Sequence, residues 1–510
     1  MNFTKGDIQQ IKDQGLTIEN VYRQIETFSQ GIPFVEILTA ASVGNGIENI
    51  IYENQQKLVN YYESKKDHLD IVKFVPASGA ATRMFKILHQ YLETFDPEKE
   101  KLNAYLNIGN KEMISIFISS IKDFAFISPL RRKIRELYPD YKRGKKGLRI
   151  YRLIETLLEE KGLNFNNLPK GLIPFHKYKK YATTAFEEQL YEAAFYASVK
   201  DDVYLHFTFS EKHVPFFKEK SKAIMNRVTK KTKTVFHISY SFQKKETDTI
   251  AVNKNNFPIR DEKGMLIFRP SGHGALLNNL NEVDADIIFI KNIDNVVAEE
   301  YVEDIAFYKK VLAGKLLWLQ EKIFLYLKKI STEKCSQESL REIKSFLWNE
   351  LNIKDIPNEI QNIERILNRP LRVCGAVKNT GATGGGPFWI KNVNGTTSLQ
   401  IVEISQINTQ ESHQESIVNE ATHFNPVDIV CGIRNYKGGK FDLSKYTDPK
   451  SGIITKKSLG GKSLKALELP GLWNGAMAEW NTVIIEVPLY TFNPVKTIND
   501  LLKKEHRPNA

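Results

Sequence analysis

Val75-Pro-Ala-Ser-Gly-Ala-Ala-Thr-Arg-Met-Phe-Lys86 joins an apolar strand to a basic helix through a run of small residues. Residues 71–75 read as a short buried strand. Ser78, Gly79, Ala80 and Ala81 leave so little side-chain bulk that backbone N–H groups can approach an anion closely. Residues 82–95 have helical spacing. A helix opening at Thr82 would aim its unpaired N–H groups and positive dipole end at a phosphate, with Arg83 and Lys86 adding charge. A small-residue turn of this kind is also a common plain connection, so its meaning rests on what the chain places with it.

Two further stretches belong with it, Leu168-Pro-Lys-Gly-Leu-Ile-Pro174 and Ile287-Ile-Phe-Ile-Lys-Asn-Ile-Asp-Asn295. The first stretch resembles the G-x-x-T-R-M signature of sugar nucleotidyltransferases, the second their P-K-x-L-x-P element, and the third the N-x-D-N strand end of UDP-sugar pyrophosphorylases. On this resemblance residues 87–168 are an insertion. Over almost its whole length the chain also resembles the bacterial DUF4301 family, which looks like a divergent branch of that superfamily. That likeness includes Phe268-Arg-Pro-Ser-Gly-His-Gly-Ala-Leu-Leu-Asn-Asn-Leu-Asn281, Gly384-Gly-Gly-Pro-Phe-Trp389 and Leu472-Trp-Asn-Gly-Ala-Met-Ala-Glu-Trp-Asn-Thr482.

At 510 residues the chain exceeds the size of a single core. Residues 1–66 carry apolar faces at helical spacing and read as a helical N-terminal cap. From residue 71 onward, short β-rich runs alternate with helical ones at 71–75, 203–209, 234–241, 287–290 and 371–377, which argues for an α/β sheet. A nucleotide-binding core is expected over 67–300, with a helical insertion at about 97–163 and a second helical insertion over 301–368. After Pro370 the composition turns to Gly, Asn and β-branched residues, so 369–510 reads as a β-rich, sugar-binding and C-terminal region. The resemblance implies a Rossmann-like mixed sheet of the nucleotide-diphospho-sugar transferase type.

Composition is that of a globular protein, 42% apolar and 26% charged. The net charge of +12, from 72 basic and 60 acidic residues, suits a polyphosphate, a nucleic acid or an anionic surface. Short basic runs such as residues 142–146 and 230–233 read as solvated faces, with no specific nucleic acid expected. Cys335, Cys374 and Cys431 lie far apart and form no C-x-x-C pair, which argues against a structural zinc site or a disulfide framework and fits a reducing cytoplasm. The most apolar helical stretch, 311–330, is broken by charges, so no membrane partner is expected.

In open α/β sheets ligands collect at the carboxyl ends of strands, and each motif falls at one. Asp294 emerges after residues 287–290, where a hard cation such as Mg²⁺ accepts oxygen ligands. By resemblance Asp294 is the metal-binding aspartate; a turn-capping Asp is the competing reading. Lys170 and Arg83 are implied binders of substrate phosphate, Arg83 through its planar fork. Gln243, in Ser239-Tyr-Ser-Phe-Gln243, matches the position where pyrophosphorylases read a pyrimidine edge, and an amide both donates and accepts as uracil requires. Gly272 and Gly274 flank His273 in what resembles the turn along the base. Glu403, in Leu399-Gln-Ile-Val-Glu-Ile404, resembles the glutamate that contacts sugar hydroxyls in those enzymes, and Asn425, before Pro426, offers the sugar an amide, with a plain turn former as the competing reading. Lys465, Trp473, Asn474 and Asn481 cluster near the end of the chain as further pocket candidates.

The implied activity is Mg²⁺-dependent joining of a sugar 1-phosphate to a nucleoside triphosphate, with UTP expected, and release of pyrophosphate. Ser78 to Thr82 would hold the triphosphate. The alternative is a catalytically inactive nucleotide- or sugar-nucleotide-binding protein on the same fold, favoured by Ala80-Ala81 standing where active members carry G-x-G. A nucleic-acid-associated protein using the +12 charge is a third reading.

Overall fold

A computed structural model describes residues 2–77, 79, 81–332, 335–381, 384–424, 428–459 and 462–508. The chain divides into two units, each assembled from three segments. Unit 1 comprises Met1–Phe74, Ser241–Ile290 and Tyr308–Leu489, and unit 2 comprises Val75–Tyr240, Lys291–Phe307 and Tyr490–Ala510. The chain passes from unit 1 into unit 2 within the Ile71–Pro76 strand, between Phe74 and Val75, and again directly after the Ile287–Ile290 strand.

Unit 1 holds a mixed sheet. Ile287–Ile290 runs parallel to Ile71–Pro76, with Ile287 opposite Ile71 and Ile290 opposite Phe74, and antiparallel to Asp428–Gly432. Asp428–Gly432 pairs antiparallel with Leu371–Ala376, which runs parallel to Asn481–Glu486, and that strand in turn to Gly46–Glu48. The central strands are buried residue after residue, so they read as unbroken apolar runs rather than alternating ones. One face packs on the Leu276–Glu282 helix and on the smaller antiparallel sheet of Ile37–Ala40, Gly385–Lys391 and Thr397–Glu403. Helices Tyr52–Lys65 and Val302–Ser331 cover the other. A Cβ on Gly375 would lie 3.3 Å from Leu312, and one on Gly314 would lie 2.1 Å from the Leu58 carbonyl, so the two helices meet backbone to backbone. The first 66 residues, read as a helical cap, contain helices Lys5–Asp13, Ile18–Gln30 and Tyr52–Lys65 and also the strands between Ile37 and Glu48.

Unit 2 has one large core, rich in phenylalanine, that gathers Val75, Phe85, Phe126, Phe186, Phe207 and Phe217. Its strands include Asp202–Phe209 and most of Val235–Phe242, close to the boundaries expected. The stretch at 97–163 is helical, with Leu102–Leu106, Glu112–Ser119, Ile127–Leu137 and Lys146–Leu158. The basic helix after the small-residue turn opens at Lys86, not at Thr82. Residues Ala81–Arg83 form a 3-10 turn, and Met84 and Phe85 are buried ahead of the helix Lys86–Thr94.

Candidate functional site

In unit 2 three separate stretches converge just beyond the strand ends. Lys170 lies in a 3-10 turn, Lys170–Leu172, and its Nζ donates to Asp294 Oδ2 at 2.5 Å, both side chains being largely buried. The Lys170 backbone N–H donates to the Gly79 carbonyl at 3.4 Å. Ile293 N–H donates to the Pro76 carbonyl at 3.3 Å, fastening the aspartate loop to the end of the Ile71–Pro76 strand. Gly79 is exposed with open space beside it, Thr82 and Arg83 are exposed, and the Ala81 side chain packs into the core. Among the described residues Arg83 forms no ion pair. Ser78 and Ala80 lie outside the described residues.

The other expected residues belong to unit 1, where His273 and Glu403 stand together. His273 Nδ1 accepts the Leu472 N–H at 2.9 Å, so in the neutral ring the proton sits on Nε2, which faces Glu403 Oε1 at 3.7 Å. Trp473 stacks on the imidazole with centroids 4.5 Å apart, and Asn474 Nδ2 donates to Glu403 Oε1 at 3.4 Å. Gly272 has φ +80°, the left-handed region that glycine enters without strain, and a Cβ there would lie 3.1 Å from Glu468 Oε2. Gln243 is held elsewhere in the unit: its amide donates to Asp248 at 3.4 Å, a carboxyl that burial raises above its usual range. Lys465 donates to Asn256, and Asn481 is buried and donates to the Ile366 carbonyl. Asn425 lies outside the described residues.

A family model described as "Domain of unknown function (DUF4301)" matches residues 4–507. The chain belongs to the DUF4301 family. No curated protein matches this DUF4301 chain. Among solved structures it is similar to a UDP-glucose pyrophosphorylase from Leishmania major in complex with UDP-glucose, at 12% identity and TM-score 0.45, covering 99% of this chain and 79% of that one. It is also similar to the uridine diphosphate N-acetylglucosamine pyrophosphorylase from Trypanosoma brucei in complex with inhibitor, at 11% identity and TM-score 0.47, covering 95% and 74%.

Sequence reasoning did not find the groups that hold Asp294 in this DUF4301 chain. The Ala185–Tyr196 helix is buried along most of its length, although it carries Glu187, Glu188, Gln189 and Glu192. Gln189 Nε2 donates to the Asn292 carbonyl at 2.9 Å and to that of Ile293 at 3.3 Å. Glu192 accepts from Lys291 Nζ at 2.7 Å, both side chains fully enclosed. From the C-terminal segment Val495 N–H donates to the Asp294 carbonyl at 3.3 Å, and Asn493 N–H to Asn295 Oδ1 at 2.8 Å. The aspartate loop is thus tied at four consecutive residues and at its neighbour Asn295. In unit 1 Arg372, fully buried, donates to the Trp473 carbonyl at 2.6 Å and to Thr482 at 2.9 Å, fixing the segment that stacks on His273. Polar residues at adjacent positions of a helix look like a solvent face, which is why they carried no signal.

Among the described residues no group of three or more His, Cys, Asp or Glu side chains is placed to hold a metal ion. Asp294 is paired with Lys170 and belongs to no such group.

Proposed function

We propose that this chain is a Mg²⁺-dependent nucleotidyltransferase that joins a sugar 1-phosphate to a nucleoside triphosphate, UTP first among them, and releases pyrophosphate. The observation that carries the reading is the Lys170–Asp294 pair, braced against Gly79 where two parallel strands end. In the reaction a phosphate oxygen of the sugar 1-phosphate bonds to the α-phosphorus, the bridge to the β-phosphate breaks, and pyrophosphate carries away the electron pair. The attacking phosphate is already ionised, so positioning and charge stabilisation do the catalysis.

The open backbone at Gly79 faces the triphosphate, and Arg83 stabilises charge growing on the leaving pyrophosphate. Lys170 draws the attacking phosphate in line. Asp294 would hold Mg²⁺, which supplies charge neutralisation across phosphate oxygens. In unit 1, His273 and Glu403 are close enough to share one ligand, and on this reading Gly272 and His273 take its base and Glu403 its sugar.

A second reading, a sugar-nucleotide-binding protein without turnover, is favoured by Asp294 belonging to no group of three or more His, Cys, Asp or Glu side chains among the described residues. Pyrophosphate release is measured with Mg²⁺, each common nucleoside triphosphate and a panel of sugar 1-phosphates. Release that requires one triphosphate and one sugar phosphate is expected, and Asp294→Ala or Arg83→Ala lowers it on the order of a hundredfold, as losing one charge-stabilising contact does. Silence across the panel with nucleotide binding retained establishes the binding protein instead.

A further inference from the structure

The charge of this protein is concentrated. Residues 131–152 hold ten Lys and Arg against Glu136 and Asp140, a net +8 of the chain's +12 in 22 residues. Both acidic residues are taken, Glu136 by Lys133 at 3.1 Å and Asp140 by Arg152 at 3.4 Å. None of the other eight cations forms an ion pair among the described residues.

The fold gathers these cations on one surface of unit 2. Helix Ile127–Leu137 buries Leu130 and Ile134, and helix Lys146–Leu158 buries Leu153, Ile154, Leu157 and Leu158. Basic side chains share the outward positions with Ser128, Pro129 and Glu136 on the first helix, and Glu155 is partly exposed on the second. Arg131, Arg132 and Arg135 are exposed on the first helix, Lys142 and Arg143 on the turn, and Lys145 and Lys146 where the second helix opens. Burial raises the Tyr141 phenol above its usual range, and the charges of Arg149 and Arg131, one from each helix, offset part of that rise. Arg149 Nε is buried without a partner. The guanidinium of Arg152 lies 4.6 Å from the centre of the Tyr138 ring.

We propose that this helical pair is a binding surface for a nucleic-acid backbone, read without sequence preference and separate from the Lys170–Asp294 site. An 11-residue helix is roughly 16 Å long, which spans about five phosphates at the 3.4 Å rise of one duplex strand. Arginine and lysine match phosphate oxygens. An anionic membrane is the poorer fit. Interfacial helices insert an apolar face, and here the apolar faces are spent in the core.

The test uses the full-length protein, with binding measured by fluorescence anisotropy on a labelled 20-base-pair DNA and a labelled 20-nucleotide poly(U), from about 50 to 200 mM salt. Binding that weakens with salt at a log–log slope near −4 on the duplex is expected, from about five phosphates neutralised. The triple variant Arg132→Ala/Lys142→Ala/Lys146→Ala weakens binding at least tenfold and makes the slope shallower by roughly three. The double variant Lys222→Ala/Lys230→Ala, which removes exposed cations from another helix, leaves binding unchanged. If the triple variant fails to fold, Arg132→Gln/Lys145→Gln replaces it. No binding at 50 mM salt, equal loss in the control variant, or binding to phosphatidylserine vesicles but to neither nucleic acid overturns the proposal.

Discussion

Asp294 illustrates how a residue acquires a function from groups that never touch a ligand. Its carboxylate meets Lys170 from 124 residues away, while Gln189 holds the two carbonyls that precede it. Removing the Gln189 amide leaves the buried Ile293 carbonyl short of a donor, at a cost of about 1–3 kcal/mol, and frees the loop to shift. Gln189→Ala therefore lowers turnover in the pyrophosphate assay on the order of tenfold or more, because a displacement of about 1 Å at a reacting centre is that costly. Unchanged turnover in a folded variant, checked by thermal unfolding, shows that Asp294 does not depend on Gln189. The strand end before Asp294 was legible in the sequence, since a run such as Ile287–Ile290 is what a strand buried on both faces requires. The brace was not, because Gln189 is one polar residue among several on a helix.

At the scale of elements, close backbone packing shapes the second cluster. Gly471 allows the turn before Trp473 to pass under the imidazole of His273, and a Cβ there would lie 2.6 Å from His273 Cε1. The Gly471→Ala protein must move the ring off Trp473 or tilt the turn. The expected outcome is at least tenfold weaker nucleotide binding by calorimetry, together with a shift in tryptophan emission as the stack opens. Retained affinity with an unchanged spectrum places the ligand away from His273. Sequence reading assigned His273 and Glu403 to separate roles, and the Thr397–Glu403 strand end brings them within 3.7 Å. That pairing depends on how the small antiparallel sheet packs on the larger one, which no local pattern in either stretch reports.

For the whole molecule, the C-terminal segment Tyr490–Ala510 belongs to unit 2, and a chain of buried rings secures it. His506 Nε2 donates to the Asn493 carbonyl at 3.1 Å, leaving its Nδ1 to accept from His176 Nε2 at 3.0 Å, and His176 Nδ1 meets Glu188 at 2.8 Å. Burial, reinforced by the charge of His176, pulls His506 from 6.5 down to about 3. The unfolded chain takes up this proton below pH 6.5 while the folded one refuses it until near pH 3. The stability that neutral His506 contributes is therefore complete above pH 6.5 and is lost as pH falls from there toward 3, by up to about 1.4 kcal/mol per pH unit. His506→Asn destabilises the protein at pH 7.5, and in urea unfolding its gap from the wild type narrows at pH 5. A gap that stays constant removes His506 from the acid response.

By itself the sequence determined the α/β class, the positions of the buried strands, the helical stretch at 97–163 and the membership in DUF4301, because apolar period and small-residue turns are local properties of the chain. Only the tertiary structure decided which polar residues meet. Lys170 with Asp294, Lys291 with Glu192 and His176 with His506 are separated by 124, 99 and 330 residues. A buried charge survives only beside its partner, and that partner is chosen by how the core closes around both.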